Sequence, residues 1–445
     1  VPCEVDVTLQ CRQVAQPQGR SSADSGSLWP VIVNPDSSRL HASTVSIDDP
    51  GSLVDFLGPR DAAFLRGRDG FVALGEITRF ETSSINDAEA WWKEFAGQIE
   101  DESEIPGTYG TGPIVHGSFC FDPLHSTTTS VMVVPRTIIG RRGGVCWMTQ
   151  LGLDRVTPKM PPRAPAPQPP EKVTFCEGSC SEQDWLDSLR EIITRIQAGE
   201  AEKVVLARDV VATTTTSFDP RFVLGNLAQN FGGCWNYLID GLVGSTPEML
   251  VRRCDGMTTS RVLAGTMARL DSIDDAYQAS RLIASTKDLA EHGYAVASVI
   301  DTLGTQLRGL HVPEAPYVLT LPNVMHLATD VCGISDPEVS TLSLANTLHP
   351  TAAVCGTPTD VARDLIASYE RMDRGRYAGP TGWMDTRGDG EWALALRCGQ
   401  LDPGDHSRMT IYAGAGVVAS SDPHFELVET DAKMHPMRMA ITGKY

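Results

Sequence analysis

The sequence lacks the features that would tie it to nucleic acid, to a membrane or to a disulfide framework. Its 37 lysines and arginines are outnumbered by 56 aspartates and glutamates, for a formal charge of −19. A nucleic-acid binder carries a basic footprint, so that class of partner is excluded. No apolar run approaches the ~20 residues that a membrane-spanning helix needs, and no signal-peptide pattern is visible. The 11 cysteines are odd in number and scattered. The nearest pair is Cys176-x3-Cys180, and neither a CxxC pair nor zinc spacing occurs. Reduced, buried thiols in a cytoplasmic protein are therefore expected. There is no internal repeat, and the one biased tract is residues 157–170, with seven prolines. It reads as an extended connector rather than a packed element. Since the first residue is Val1, the natural start is expected upstream.

What is present is an ordinary globular composition over 445 residues, enough for two or three domains or one large unit with a sizeable core. With an acidic field overall, an anionic substrate needs local arginine, lysine, backbone N–H groups or a metal. Residues 1–155 read as short strands and turns, with one helix over Ala88–Glu100 from the spacing of Trp91, Phe95 and Ile99. Nothing in this part suggests chemistry beyond a structural role. Beyond the prolines, Ser181-x-x-Asp184 signals a helix cap, and the apolar positions Trp185, Leu189, Ile192, Ile193 and Ile196 run to Gly199. A strand follows from Lys203 to Val211. An isolated lysine at a strand's start is most often a solvated end.

A hairpin is expected from Trp235 to Val251, turning at Asp240-Gly241. Within it Glu248 follows a Gly-Ser-Thr-Pro bend in apolar surroundings. A carboxyl there should have a raised pKa suited to a general acid, although an ordinary turn glutamate has the same local sequence. Val262–Thr266 is a strand ending in a small-residue turn. Ser285-x-x-Asp288 caps a long helix on which Asp288 and Glu291 lie at i, i+3. The strand at Thr410–Tyr412 runs into the glycines of Ala413–Gly416. Asp422-Pro423 then supplies an N-cap and a first-turn proline. On this last helix Glu426, Glu429 and Lys433 share one face, with Phe425, Val428 and Ala432 on the other side. Two carboxylate pairs on two helices, beside a glycine turn that admits an anion, suggest a magnesium site for a small carboxylate. Taken alone, each acidic face could equally be solvated. Arg397, at the end of the strand from Trp392, can grip a carboxylate bidentately.

Nine stretches in this order resemble the chorismate-utilising enzymes. They are KVVLAR (203–208), GSTPE (244–248), LAGT (263–266), KDLAEH (287–292), LHPT (348–351), YAGPTGW (377–383), ALR (395–397), AGAG (413–416) and the ExxExxxK of Glu426, Glu429 and Lys433. The match is strong over residues 180–441, with weaker echoes in GSFCFDP and VMVVPR upstream. Nine ordered motifs are far more specific than any one of them.

The fold this resemblance implies is α+β: a single chorismate-binding unit over 1–445, with two packed, mostly antiparallel sheets and helices outside. Residues 1–156 would be its divergent N-terminal part, 157–173 a proline-rich loop and 174–445 the catalytic part. Mg2+ would be held by Glu291 and Glu429, with Asp288 and Glu426 behind them. Lys203 would be the base and Glu248 the acid. A lysine with an ordinary pKa of ~10.4 is a poor base at neutral pH, so the site would have to favour its neutral form. The enolpyruvyl carboxylate would meet Arg397, Gly414 and Gly416. The ring carboxylate would meet Gly265, Thr266, Ala353 and Lys433, with His349 near the ring and Tyr377 beside it.

Within the family, Ala264 stands where aminodeoxychorismate synthases carry a nucleophilic lysine. No glutaminase nucleophile motif is present, which separates the chain from ammonia-using anthranilate synthases. LHPT with NVMHLAT resembles isochorismate synthases more than salicylate synthases, which add pyruvate elimination and stand as the alternative. A chorismate-binding regulatory protein has no use for the Lys203 and Glu248 pair. A monomer without a glutaminase subunit is expected, and the fate of the product (menaquinone, siderophore or salicylate) stays open.

Overall fold

Polar end signals and turn residues place the elements around the site. The computed structural model describes residues 39–270 and 272–444. The first 38 residues of the expected N-terminal part lie outside them. The helix Glu182–Gln197 begins at a complete capping box between Ser181 and Asp184. The helix Thr286–Leu303 starts where Ser285 accepts from the Asp288 N–H. The C-terminal helix, Pro423–Thr442, is capped by Asp422 accepting from the N–H groups of His424 and Phe425. Asp240 (φ 50°) and Gly241 (φ 78°) are both left-handed, as a two-residue hairpin turn requires. They join Trp235–Ile239 to Leu242–Thr246.

One helix ends earlier than its apolar spacing predicts. It runs Ile85–Ala96 and stops at Gly97, and Ile99–Ser103 instead forms a strand beside Leu40–Ser46. Ile99, counted above as the third apolar helix position, belongs to that strand. Glycine ends the helix, and the pairing available to the next residues overrides local periodicity.

Among the described residues, 21 strands are joined by hydrogen bonds into one continuous network. Every pairing is antiparallel except the one just named. The proline-rich stretch does not interrupt the network. Ala62–Arg66 pairs with Trp235–Ile239, and Ile114–Ser118 with Pro380–Asp385, across it in sequence. The stretch itself carries no regular structure and is pinned by Gln150 to both the N–H and C=O of Lys159 and by Arg221 to the Pro165 carbonyl. Two large apolar clusters fill the interior, one around Trp185, Trp383 and Trp392, the other around Leu224, Met409 and Met437. The nine described cysteines are all free thiols.

Three contacts fix the site's frame. The strand Lys203–Thr213 lies against Arg408–Val417, with Ala207 opposite Gly414 and Val205 opposite Gly416. Arg208, buried on the first strand, donates to Thr430 Oγ1 and Asp431 Oδ1, both at 2.8 Å, and so ties the C-terminal helix down. Met257–Ala268 pairs with Val324–Ser335, with a bulge between Ala264 and Thr266. Gly265 sits at that bulge with φ 76°, where a Cβ would lie 3.0 Å from the Asp288 side chain and carbonyl. Only glycine allows the strand to come so close to the start of the Asp288 helix.

Candidate active site

A cleft opens where these strands meet the helices Thr286–Leu303 and Pro423–Thr442. Of the residues singled out in the sequence, Glu248, Thr266, Glu291, Ala353, Tyr377, Arg397, Gly414, Gly416 and Lys433 line it. Lys203 lies directly beneath. Its side chain is 0% exposed, so it is not a solvated strand end. Its ammonium is 3.2 Å from Glu291 Oε1 yet has no aligned hydrogen-bond partner. Gly416 makes room for this pair: a Cβ there would stand 2.5 Å from Glu291 Oε1 and 3.0 Å from Lys203 Cε.

Burial pushes the Glu248 carboxyl up to about 8, against the pull of Lys203, Arg397 and Lys433. The acid is therefore mostly protonated at neutral pH. This is the environment its apolar surroundings in the sequence suggested. Arg397, held at φ 49°, points Nη2 at His326 Nε2, 3.2 Å away. Burial, with the charges of Arg397 and Lys433, keeps His326 well below the ordinary histidine range and hence neutral. An arginine can only donate, so His326 Nε2 accepts and Nδ1 carries the proton. Nδ1 in turn lies 3.0 Å from Thr266 Oγ1. With its oxygen accepting from the histidine, the Thr266 hydroxyl proton is left to point elsewhere, toward the cleft that it lines.

Lys433 spans two elements, 2.6 Å from Glu429 Oε1 and 2.9 Å from the Gly414 carbonyl. Beyond Ile411 the strand Arg408–Val417 no longer has Cys398–Leu401 beside it, which leaves the edge with Gly414 and Gly416 open to the cleft. Tyr377 stacks on Tyr412 at 5.1 Å, and its hydroxyl would be 3.2 Å from a Cβ on Gly414.

The four acidic residues come from two helices. Glu291 lines the cleft, whereas Asp288, Glu426 and Glu429 do not. Burial, then the negative charges of Glu291 and Glu429, raise Asp288, and burial with Glu429 raises Glu426. Burial would raise Glu291 as well, but Lys203, Lys433 and Lys287 outweigh it and hold it low. Among the described residues no three acidic, histidine or cysteine side chains are gathered closely enough to cage an ion alone. The set is nevertheless all hard oxygen, and its mutual repulsion is what a dication relieves. Magnesium takes one or two protein carboxylates and completes its shell with water and substrate oxygens, so these residues fit it.

His349 is not at the cleft, contrary to expectation. Its Nε2 faces the Phe121 carbonyl at 2.9 Å, its ring meets Phe121 edge-on, and burial lowers it to about 4. The Phe121 carbonyl, a backbone acceptor, has claimed the imidazole. Gly265 likewise does not line the cleft but acts through the close approach described above.

Three participants were not singled out from the sequence. His326 was quoted only within a motif, although it lies opposite Thr266 across the two strands. Buried Arg374 forms a two-pronged ion pair with Glu370, at 2.6 and 2.7 Å. It also donates to the carbonyls of Val205 and Val354, which joins the Lys203 strand to the turn carrying Ala353. Lys287 pairs with Glu426. Glu370 and Arg374 lie just beyond the end of the helix Thr359–Tyr369, so helical spacing gave no signal for their pairing.

Residues 62–442 match the family described as chorismate binding enzyme. Isochorismate synthase DhbC of Bacillus subtilis is 38% identical over 272 residues, 58% of this chain and 68% of the relative. Isochorismate synthase MenF of the same organism is 28% identical over 409 residues, 84% of this chain and 85% of the relative. In fold, the structure of MenF, the menaquinone-specific isochorismate synthase of Escherichia coli, superposes with a TM-score of 0.74 at 24% identity, covering 91% of this chain and 95% of that one. No described helix is long and apolar enough to cross a membrane. With the match running through every element that walls the cleft, the chain belongs to the chorismate-binding enzyme family.

Proposed function

We propose that the protein is an isochorismate synthase, adding water at ring carbon 2 of chorismate as the hydroxyl at carbon 4 departs. The observation that carries this reading is a buried carboxyl, Glu248, pushed up to about 8 and sharing one site with the fully buried Lys203. Mere binding needs neither, whereas exchange of one hydroxyl for another needs both a base and an acid. The first relatives found are also isochorismate synthases by name.

In this reading neutral Lys203 takes a proton from the incoming water as its oxygen bonds to carbon 2. The ring double bond shifts, the bond from carbon 4 to oxygen breaks, and Glu248 protonates the departing hydroxyl. Lys203 then holds the proton taken from the incoming water, Glu248 has given its own to the departing hydroxyl, and exchange with solvent restores both. Arg397 and the open edge at Gly414 and Gly416 would hold the enolpyruvyl carboxylate. Thr266, Ala353 and Lys433 would meet the ring carboxylate. Glu291 and Glu429, backed by Asp288 and Glu426, would hold Mg2+. When bound, that ion would neutralise the ring carboxylate and polarise the conjugated diene.

The test is product analysis by proton NMR with chorismate and Mg2+. Isochorismate as the accumulating product is expected. Salicylate with free pyruvate would move the protein to the salicylate synthases, and anthranilate from added ammonium salts would move it to the ammonia-using branch.

A further inference from the structure

Three of the four acidic side chains are each met by a different lysine: Glu291 by Lys203, Glu429 by Lys433 and Glu426 by Lys287. The first two lysines belong to the cleft and its floor. Lys287 does not line it. It stands in the first turn of the Thr286–Leu303 helix, where a positive charge opposes the helix dipole. Local helix stability therefore gives no reason for it. Its side chain, 42% exposed, reaches across to the other helix and donates to Glu426 Oε1 at 3.1 Å, on a carboxylate only 2% exposed.

We propose that Lys287 is an internal counter-ion of the acidic cluster, which engages Glu426 until a divalent cation enters and so sets the cation affinity of the site. The proposal rests on reading Asp288, Glu291, Glu426 and Glu429 as the cation site. An ammonium hydrogen-bonded to a carboxylate oxygen competes for the lone pairs that a cation or its water would use. If it stays in place, its charge repels the cation. On either count the lysine lowers affinity. In exchange it offsets repulsion among four carboxylates and holds the two helices together. A purely structural lysine would act in the opposite sense, since loosening the helices would weaken cation binding.

The experiment compares the full chain with its Lys287→Met, Lys287→Gln and Lys287→Arg variants, without substrate. Mg2+ affinity is measured by calorimetry, and melting temperature is followed with and without Mg2+. The Met and Gln variants should bind Mg2+ about fivefold tighter, the scale of one partly exposed ion pair. They should melt lower than wild type without Mg2+ and gain more on adding it, while Arg should resemble wild type. Unchanged or weaker affinity in whichever neutral variant folds would overturn the counter-ion role. Failure of wild type to bind Mg2+, or binding unaffected by Glu291→Gln and Glu429→Gln, would overturn the cation site itself.

Discussion

Replacing Glu248 by glutamine should lower activity while raising stability at alkaline pH. The carboxyl is buried, and burial lifts it from an ordinary 4.5 to about 8. A group with that pKa is about nine-tenths protonated at pH 7, so its resting form is the acid that the leaving hydroxyl needs. Glutamine keeps the size and neutrality but has no proton to give. Turnover should fall roughly 10²–10⁴-fold, equivalent to about 3–5 kcal/mol of barrier. KM should change far less, since Arg397 and the glycine edge are untouched. The alkaline limb of the wild-type pH profile should lie near about 8 and disappear in the variant.

Stability moves the other way. The folded pKa lies above the unfolded one, so folding favours the protonated acid. That contribution is complete below the unfolded value of about 4.5 and is lost as pH rises through about 8. Above that point the folded chain must keep an unwelcome buried charge. At 1.36 kcal/mol per pH unit the gap bounds this penalty at ~5 kcal/mol. Glu248→Gln should thus melt higher than wild type at pH 9 and close to it at pH 4. Turnover by NMR and scanning calorimetry provide the two measurements. A variant with wild-type turnover, or one that keeps a limb near 8, refutes the acid assignment. A lower melting point at pH 9 refutes the burial argument.

Lys203→Ala should also reduce kcat roughly 10²–10⁴-fold, and the double variant with Glu248→Gln should fall short of the product of the single losses, because either leaves one half of a coupled proton exchange undone. Near-normal turnover would move the base elsewhere, first to Lys433. Glu291→Gln or Glu429→Gln should remove most activity with circular dichroism unchanged, and full turnover in excess EDTA would exclude a metal role. Gly416→Ala should cost roughly tenfold or more in kcat, because its methyl would displace the Lys203 and Glu291 pair; wild-type rates would show that this contact is dispensable.

The frame of this molecule was legible where chemistry is local. The caps at Ser181, Ser285 and Asp422 and the turn at Asp240-Gly241 lie where their residue types put them. The sequence also led to Lys203, Glu248 and the cleft residues through ordered motifs, and the fold brings these together. It misled where a partner distant in sequence decides. His349 turns to the Phe121 carbonyl, 228 positions away, and Ile99 leaves its helix for a strand partner near residue 40. His326 went unassigned because its significance depends on a strand register that pairs it with Thr266. The C-terminal helix reverses the usual rule of sidedness. Phe425 is 76% and Val428 65% exposed, whereas Glu426 and Thr430 are buried. Patterning by hydrophobicity fails there because the inward face serves the site rather than the core.

That reversal divides the helix thermodynamically. Its second half is anchored by Met434, Met437, Ala440 and Ile441 in an apolar cluster. Its first half has only Leu427 packed against the core and is otherwise held by polar ties: Arg208 to Thr430 and Asp431, Lys287 to Glu426, and Lys433 to Glu429. Such ties contribute far less than buried hydrocarbon and depend on charge balance. The first two turns should therefore open locally at lower cost, with amide protons exchanging well before those around Met437. Occupants of the cleft that engage Glu429 or Lys433 draw this segment into the cooperative fold, so ligand binding registers as protection of one helix end against exchange.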